Sequence, residues 1–269
     1  MAAFLIILVI LALVYLLALM GRTGHKKLPA LRQWAYAHRG LHGNGVPENS
    51  MAAFRLALEK GYGIELDLHL LKDGGLAVIH DAKLARTTGA EGEIEDLTSA
   101  DLANYRLEGT DETIPEFSQV LSLFAGKAPM IVELKAERGN HAVLCEAACK
   151  SLEGYEGLYC IESFDPRCIL WLRKNRPDIL RGQLAENFLK DEKTNLSWPL
   201  KFVLTNLLTS FLTMPDFIAY NFPDRKGLSP ALSHKLWGIQ SVSWTIRTQA
   251  DFDTAVAEGR IPIFEYFEP

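Results

Sequence analysis

The sequence predicts an α/β protein, an irregular (β/α)8 TIM barrel with a small insertion after the third strand, preceded by a single N-terminal transmembrane helix. Three observations lead there. Short β-like apolar runs alternate with helical stretches over most of the chain, which favours a parallel sheet, and about eight such units favour a closed barrel. Residues 35–269 have the length of one α/β barrel. The first 20 residues are wholly apolar.

The N-terminal run, residues 1–21, has the length of a membrane-spanning helix. A cleaved signal peptide is the alternative, but no Arg or Lys precedes the run and Met20-Gly21-Arg22 is a poor cleavage site. Residues 22–34 form a basic linker that carries four cations and no carboxylate. The positive-inside rule then places the catalytic domain in the cytoplasm of a single-pass protein. Alternatively, the cations only contact lipid headgroups on either side.

The charge of the chain divides into a basic linker and an acidic body. The whole chain has 28 Lys and Arg, 33 Asp and Glu, and a net charge of −5. Without the four linker cations, 24 basic residues face 33 acidic ones, a net charge of −9. Such a body has no electrostatic reason to bind nucleic acid. The 48% hydrophobic content and the spacing of the four cysteines exclude a disordered chain, a disulfide scaffold and a zinc site; buried thiols are expected.

The barrel domain, residues 35–269, contains nine strand-like runs, one more than a regular barrel holds. Only Leu68–Gly75 separates the second run from the third, which is too short for a crossover helix, so one run is expected outside the barrel. Residues 81–114 are predicted to form an inserted loop or subdomain over the active face. The runs are 35–38, 63–68, 76–80, 129–134, 158–163, 179–184, 216–220, 239–245 and 261–265.

The second run places Glu65, Asp67 and His69 on one face, because side chains alternate along a strand. Two carboxylates this close on a buried strand are unfavourable without compensation. A divalent cation such as Ca²⁺ or Mg²⁺ provides it, since these ions prefer carboxylate oxygens. A salt-bridged pair near the barrel rim is the alternative.

Three further strand ends carry ionisable residues: His38 and Arg39, His80, and the pair Glu133 and Lys135. The active sites of α/β barrels lie at these ends. A cation, two basic residues and two histidines suit phosphate-ester cleavage, because they neutralise phosphate oxygens, stabilise the transition state and transfer protons. The residues therefore favour a metal-assisted hydrolase.

At these positions the chain resembles the glycerophosphodiester phosphodiesterase family over nearly the whole body, most strongly over 36–135. The resemblance implies a TIM-barrel hydrolase that cleaves glycerophosphodiesters to sn-glycerol 3-phosphate and an alcohol with one divalent cation, Ca²⁺ or Mg²⁺. The motifs are His38-Arg39-Gly40, Pro47-Glu48-Asn49-Ser50, Glu65-Leu66-Asp67, Lys72-Asp73-Gly74, His80-Asp81, Arg86-Thr87-Thr88, Glu133-Leu134-Lys135, Ser163-Phe164-Asp165 and Trp244-Thr245.

The resemblance also implies roles for individual residues. His38 corresponds to the general base and His80 to the general acid. The metal ligands it implies are Glu65, Asp67 and Glu133. It implies phosphate contacts for Arg39 and Lys135.

Three residues lie at the edge of the implied site. Asn49 is placed near phosphate or metal-bound water, Glu48 near the metal, and Trp244 in the glycerol pocket. Capping of the next helix is the alternative for Glu48 and Asn49. His69 is expected to be structural, and Ser163-Phe164 to be barrel packing.

Two segments set this chain apart. The family usually ends in a glycine-rich strand closing on Thr-Asp, whereas this chain ends with residues 260–269, RIPIFEYFEP. Residues 196–214 are rich in Leu, Phe and Trp. They are expected to form either a barrel helix with one buried face or an interfacial segment that brings the barrel mouth to a bilayer.

Two other functions remain open from the sequence. One is a membrane-associated lysophospholipase D that acts on lysophospholipids. The other is a non-catalytic barrel that binds lipid headgroups. The sequence does not fix the leaving alcohol or the oligomeric state.

Overall fold

The fold is a closed barrel of eight parallel strands, seen in a computed structural model that describes residues 1–192 and 194–269. The barrel runs in the order β1, β2, β4, β5, β6, β7, β8, β9, and β1 closes it because Tyr36 pairs with both Gly63 of β2 and Ile263 of β9. The strands of the described chain are β1 (Tyr36–Ala37), β2 (Gly63–Leu70), β3 (Leu76–Val78), β4 (Met130–Leu134), β5 (Tyr159–Ser163), β6 (Arg181–Ala185), β7 (Phe217–Asn221), β8 (Gln240–Ile246) and β9 (Ile261–Phe264).

Strand β3 is the one that lies outside the barrel. It pairs antiparallel with β2, with Leu68 opposite Val78. The short Leu71–Gly75 turn permits only such a hairpin, since a parallel connection needs a longer crossover. The expectation that one strand-like run falls outside an irregular barrel is confirmed.

The helices lie around the barrel, and most of them bury side chains on one face, as α3 does. In α3, Ser50 is the N-cap, and Ala53, Phe54 and Ala57 face the core at helical spacing. The four cysteines are all free and buried. The α-helices of the described residues are α1 (Ala2–Ala18), α2 (Leu28–Leu31), α3 (Met51–Glu59), α4 (Ala85–Thr88), α5 (Phe117–Phe124), α6 (His141–Ser151), α7 (Pro166–Asn175), α8 (Trp198–Thr205), α9 (Ser210–Thr213), α10 (Leu228–Trp237) and α11 (Gln249–Ala257).

The segment between β3 and α5 folds over one side of the barrel mouth. It contains α4 and two 3₁₀ turns, Ile94–Asp96 and Ser99–Asn104. Its apolar side chains form a small core with the end of the β2–β3 hairpin. This packing fixes the position of Arg86, which reaches the cleft described below.

The apolar N-terminal run forms α1, which has 17 residues and ends at Ala18. The helix ends there because Leu19 is fully buried in a cluster on the barrel wall, and the Trp237 indole donates to the Leu16 carbonyl at 2.9 Å. Among the residues that the structure describes, no helix combines the length and apolarity that a membrane crossing requires. The transmembrane helix expected from the sequence is therefore not supported.

The linker that follows α1 is tied to the barrel by Arg22. Its Nε and Nη2 donate to Asp216, which is 1% exposed, at 2.6 Å each, and Nη2 also donates to the Ile179 carbonyl at 3.0 Å. One of the four linker cations thus has a structural partner.

The 196–214 segment forms α8 and α9. No side chain of α8 is fully buried, but Leu204 packs against a buried cluster that contains Leu207, while Trp198 on the same helix is 68% exposed. The helix therefore has one packed face and one exposed apolar face, and both expectations for this segment stay predictions. In α9, Ser210 and Thr213 are buried.

Candidate active site

The turn after β1 delivers the first two site residues. The His38 N–H donates to the Phe264 carbonyl of β9 at 2.8 Å, and Arg39 adopts φ 54° so that its own N–H donates to Glu65 Oε2 at 3.1 Å. At Gly40, φ is 79° and a Cβ would lie 2.8 Å from the Ala53 Cβ. Only glycine fits this turn beneath α3.

Three carboxylates meet inside the barrel, where β2 and β4 end. One oxygen of each lies within 4.8 Å of the others, and the three residues are 5% exposed or less. The register explains the meeting, because Asp67 of β2 lies opposite Glu133 of β4 and side chains two apart share a face. The three are Glu65, Asp67 and Glu133.

Lys135 and Arg39 compensate part of this negative charge. The Lys135 ammonium lies 3.0 Å from Asp67 and 2.6 Å from Glu133, and Arg39 Nε lies 3.5 Å from Asp67. Neither contact reaches Glu65 Oε1, which has no hydrogen-bond partner among the described residues. Of the two carboxylates on β2, Asp67 is therefore salt-bridged by Lys135 and Arg39, whereas Glu65 keeps an oxygen without a partner.

The pKa values follow this uneven compensation. Burial opposes ionisation of Asp67, but Lys135 and the other nearby cations outweigh it and hold its pKa well below the usual range. Burial, followed by the charges of Asp67 and Glu133, raises the pKa of Glu65 well above the usual range. Burial also raises the pKa of Glu133, although Lys135 opposes it.

This cluster fits a hard divalent cation. The donors are all carboxylate oxygens, which Ca²⁺ and Mg²⁺ prefer, and one of them is a buried oxygen without a partner. A cation at this place would relieve the repulsion that raises the pKa of Glu65.

The His38 ring is hydrogen-bonded to the Glu265 carboxylate through Nδ1, the nitrogen that faces away from the three clustered carboxylates. Its Nδ1 lies 2.6 Å from Glu265 Oε2, and its Nε2 lies 3.9 Å from Glu65 Oε2. Because an ionised carboxylate only accepts, Nδ1 carries the proton and Nε2 faces the cleft with its lone pair. Burial lowers the pKa of His38 to about 4. The ring is therefore a neutral acceptor near neutral pH.

His80 has a comparable partner on the other side of the cleft. Its Nδ1 lies 2.5 Å from Asp81 Oδ1, and Arg86 pairs with the second oxygen of Asp81. These contacts, led by the His80 hydrogen bond, hold the pKa of Asp81 well below its usual range. The carbonyl of His80 accepts from His69 Nε2 at 3.2 Å, which is the structural role expected for His69.

Glu48 and Asn49 support the site without capping the helix. Glu48 pairs with Arg39 at 3.0 Å and Arg86 at 2.6 Å, and the Asn49 amide donates to Asp67 at 2.8 Å. The capping alternative is wrong, because Ser50 holds that position. Glu48 is not one of the three clustered carboxylates.

These side chains line one cleft of about 250 Å³ at the barrel mouth. One wall is charged, and the other is apolar, formed by Phe164, Leu184, Trp244 and Ile263. Trp244 packs edge-on against Phe164 with ring centroids 5.5 Å apart. Eight of the ten residues expected from the sequence line the cleft, and Asn49 and Asp67 lie buried beneath it.

The cleft also contains residues that the sequence reasoning missed. Glu162 is 1% exposed, lies opposite Glu133 on β5, and its Oε2 makes no hydrogen bond to any described residue. Phe164 lines the cleft rather than serving barrel packing alone. The same strand-end rule that selected Glu133 would have selected Glu162 and Glu265, had it been applied to the fifth and last barrel runs.

Comparison with known proteins points to one family. The model of the glycerophosphoryl diester phosphodiesterase family matches residues 38–264. A glycerophosphodiester phosphodiesterase of Bacillus altitudinis is 43% identical over 155 residues, or 54% of this chain and 63% of that protein. One from Caldanaerobacter subterraneus is 35% identical over 160 residues, or 56% and 65%. These matches span slightly less than two thirds of both relatives.

A solved structure shares the fold. The phosphodiesterase of Oleispira antarctica, in complex with the product sn-glycerol-3-phosphate, aligns with a TM-score of 0.70 at 21% identity. The alignment covers 86% of this chain and 92% of that one.

The carboxylate cluster predicts a stability change on cation binding. After chelation, added Ca²⁺ or Mg²⁺ should raise the unfolding temperature of the wild type, because a ligand at 100 times its Kd stabilises by about 2.7 kcal/mol. Glu65→Gln should lose this shift. Without metal it should be at least as stable as the wild type, since one buried like charge is gone.

Differential scanning fluorimetry measures both effects. Glu91→Gln, at an exposed position, is the matched control and should keep the shift. A shift of wild-type size in Glu65→Gln would place the cation elsewhere.

Proposed function

Because the chain belongs to the glycerophosphoryl diester phosphodiesterase family, we propose that it is a metal-dependent phosphodiester hydrolase. It cleaves glycerophosphodiesters to sn-glycerol 3-phosphate and an alcohol. The observation that carries the proposal is the cleft itself, which is lined by two of the three clustered carboxylates, four basic side chains and two carboxylate-bound histidines.

Glu65, Asp67 and Glu133 are proposed to hold one Ca²⁺ or Mg²⁺ ion. When bound, the ion supplies charge neutralisation for the phosphate oxygens. Arg39 and Lys135 are proposed to contact the same phosphate, and their position as cations that line the cleft beside the cluster supports this role.

The two histidines are proposed to move the protons. His38 Nε2 accepts a proton from the attacking water as the water oxygen bonds to phosphorus. The bond from phosphorus to the alcohol oxygen breaks, and His80 gives that oxygen a proton. Addition of one water overall yields glycerol 3-phosphate and the free alcohol. Trp244 is proposed to line the glycerol pocket together with Phe164, against which it packs edge-on.

The two histidine roles predict different responses to the leaving group. On glycerophosphocholine, His38→Ala and His80→Ala should each lose about 10²–10⁴-fold in kcat. On the 4-nitrophenyl ester of glycerol 3-phosphate, the leaving group needs no proton, so His80→Ala should regain most of its rate. His38→Ala should stay inactive.

Steady-state rates on both substrates test this assignment. His25→Ala, on the exposed linker, is the control and should match the wild type. Equal impairment of His80→Ala on the two substrates would contradict its role as the acid.

The substrate class is proposed to be free glycerophosphodiesters rather than lysophospholipids. The cleft holds about 250 Å³, and only four of the residues that line it are large and apolar, which suits a glycerol moiety better than an acyl chain. Glycerophosphocholine should therefore show at least about tenfold higher kcat/KM than lysophosphatidylcholine, a difference of about 1.4 kcal/mol. Choline release from both substrates measures it, and the opposite preference would make the protein a lysophospholipase D.

We further propose that the protein is held at a membrane, with the catalytic domain on the cytoplasmic side. Residues 1–14 are all exposed although all of them are apolar. More exposed apolar side chains lie on the helices near the docked end of α1: Trp198, Phe202, Phe211, Leu212, Leu228 and Leu236. This surface is proposed to contact lipid, since large exposed apolar patches mark such contacts.

Vesicle flotation tests the membrane proposal. The full chain, reconstituted from detergent, should float with phosphatidylcholine–phosphatidylglycerol vesicles, and a chain lacking residues 2–14 should not, because the lipid-facing area is lost. Both should hydrolyse soluble glycerophosphocholine equally. Recovery of the full chain in the vesicle-free fraction would contradict the proposal. The cytoplasmic location of the barrel is tested by adding a protease to intact cells, and cleavage of the barrel would contradict it.

A further inference from the structure

The last strand of the barrel brings an unexpected carboxylate into the site. Glu265 directly follows β9, is 5% exposed, and lies in the C-terminal segment that departs from the family pattern. Its backbone N–H donates to the Ile246 carbonyl at 3.0 Å. The side chain therefore enters the cleft from a fixed position.

Each oxygen of Glu265 has its own partner. Oε2 accepts from His38 Nδ1 at 2.6 Å, and Oε1 accepts from Arg247 Nε at 2.6 Å. His42 Nε2 lies 3.6 Å from Oε2, and the His42 side chain is 6% exposed. Burial disfavours the charge of Glu265, but the two histidines and Arg247 outweigh it and hold its pKa well below the usual range.

We propose that Glu265 is the positioning residue of the general base, fixing the His38 ring so that Nε2 faces the attacking oxygen. Arg247 holds Oε1 and thereby leaves Oε2 to His38. His42 packs edge-on against Tyr266, with ring centroids 5.1 Å apart, and its Nε2 lies beside the same carboxylate oxygen. This inference rests on the proposed function, since it needs His38 to act as the base.

The geometry supports positioning rather than substrate contact. The 2.6 Å bond to Nδ1 selects one tautomer and one ring orientation, as the carboxylate behind a catalytic histidine does elsewhere. The His38 backbone is held independently by the Phe264 carbonyl, one residue before Glu265. Strands β1 and β9 therefore fix both the backbone and the side chain of the base.

A kinetic cycle tests the role. Glu265→Gln keeps the shape and loses the charge, and its kcat on glycerophosphocholine should fall about 10–100-fold with KM changed less than about threefold. Glu265→Asp keeps the charge but has a shorter side chain, so its kcat should lie between those of the wild type and Glu265→Gln. In a His38→Ala background the Gln substitution should change kcat less than about twofold, because Glu265 acts only through His38.

Glu268→Gln is the matched control, since Glu268 is an exposed carboxylate three residues away that pairs with Lys60, and it should behave as the wild type. An unchanged kcat in Glu265→Gln, or equal losses in the two backgrounds, would overturn the inference. An inactive wild type would instead overturn the proposed function.

A spectroscopic measurement covers the case in which Glu265→Gln does not fold. In the wild type labelled with ¹⁵N-histidine, the His38 signals, assigned by their loss in His38→Ala, should show protonated Nδ1 and unprotonated Nε2. Protonation at Nε2 would overturn the inference without any variant of Glu265.

Discussion

Crowding of carboxylates inside the barrel mouth is the constraint on which the site depends. Glu65, Asp67, Glu133 and Glu162 are all buried on adjoining strands, and the Lys135 ammonium reaches only two of them. Burial raises the pKa of Glu65, Glu133 and Glu162, so the charged forms are unfavourable without a further cation. A positive charge that joined the cluster would lower this cost, and the carboxylate oxygens fit a hard divalent ion.

Two histidine–carboxylate pairs flank this cluster, and their surroundings differ. His38 is deeply set, its partner Glu265 is buried, and the pKa of the ring is lowered to about 4. The side chain of His80 is 32% exposed, and that of its partner Asp81 26%. A neutral, enclosed ring suits proton acceptance, whereas a more open ring beside an ionised carboxylate suits proton donation to a departing alcohol. The difference in exposure follows from the topology. His38 follows β1, which pairs with β9 inside the barrel, whereas His80 follows β3, which lies outside it.

Much of the site was predictable because it follows from strand periodicity. Alternation put Glu65 and Asp67 on one face, and the rule that barrel sites lie at strand ends selected His38, His80 and Glu133. The strand-end rule could have selected Glu265, but not its contact with His38, because local pattern carries no information on side-chain pairing between the first and last strands of a closed barrel. Likewise, the end of α1 depends on Leu19 packing against distant helices, which composition alone does not reveal.

The central claim is that the cleft hydrolyses glycerophosphodiesters with a cation at its carboxylates. The most direct measurement follows glycerol 3-phosphate released from glycerophosphocholine before chelation, after metal is stripped to a level checked by elemental analysis, and after Ca²⁺ or Mg²⁺ is returned. The account predicts activity, loss of activity and recovery, in that order, with choline as the second product. Full activity in the metal-free protein, or phosphocholine in place of choline, would contradict it.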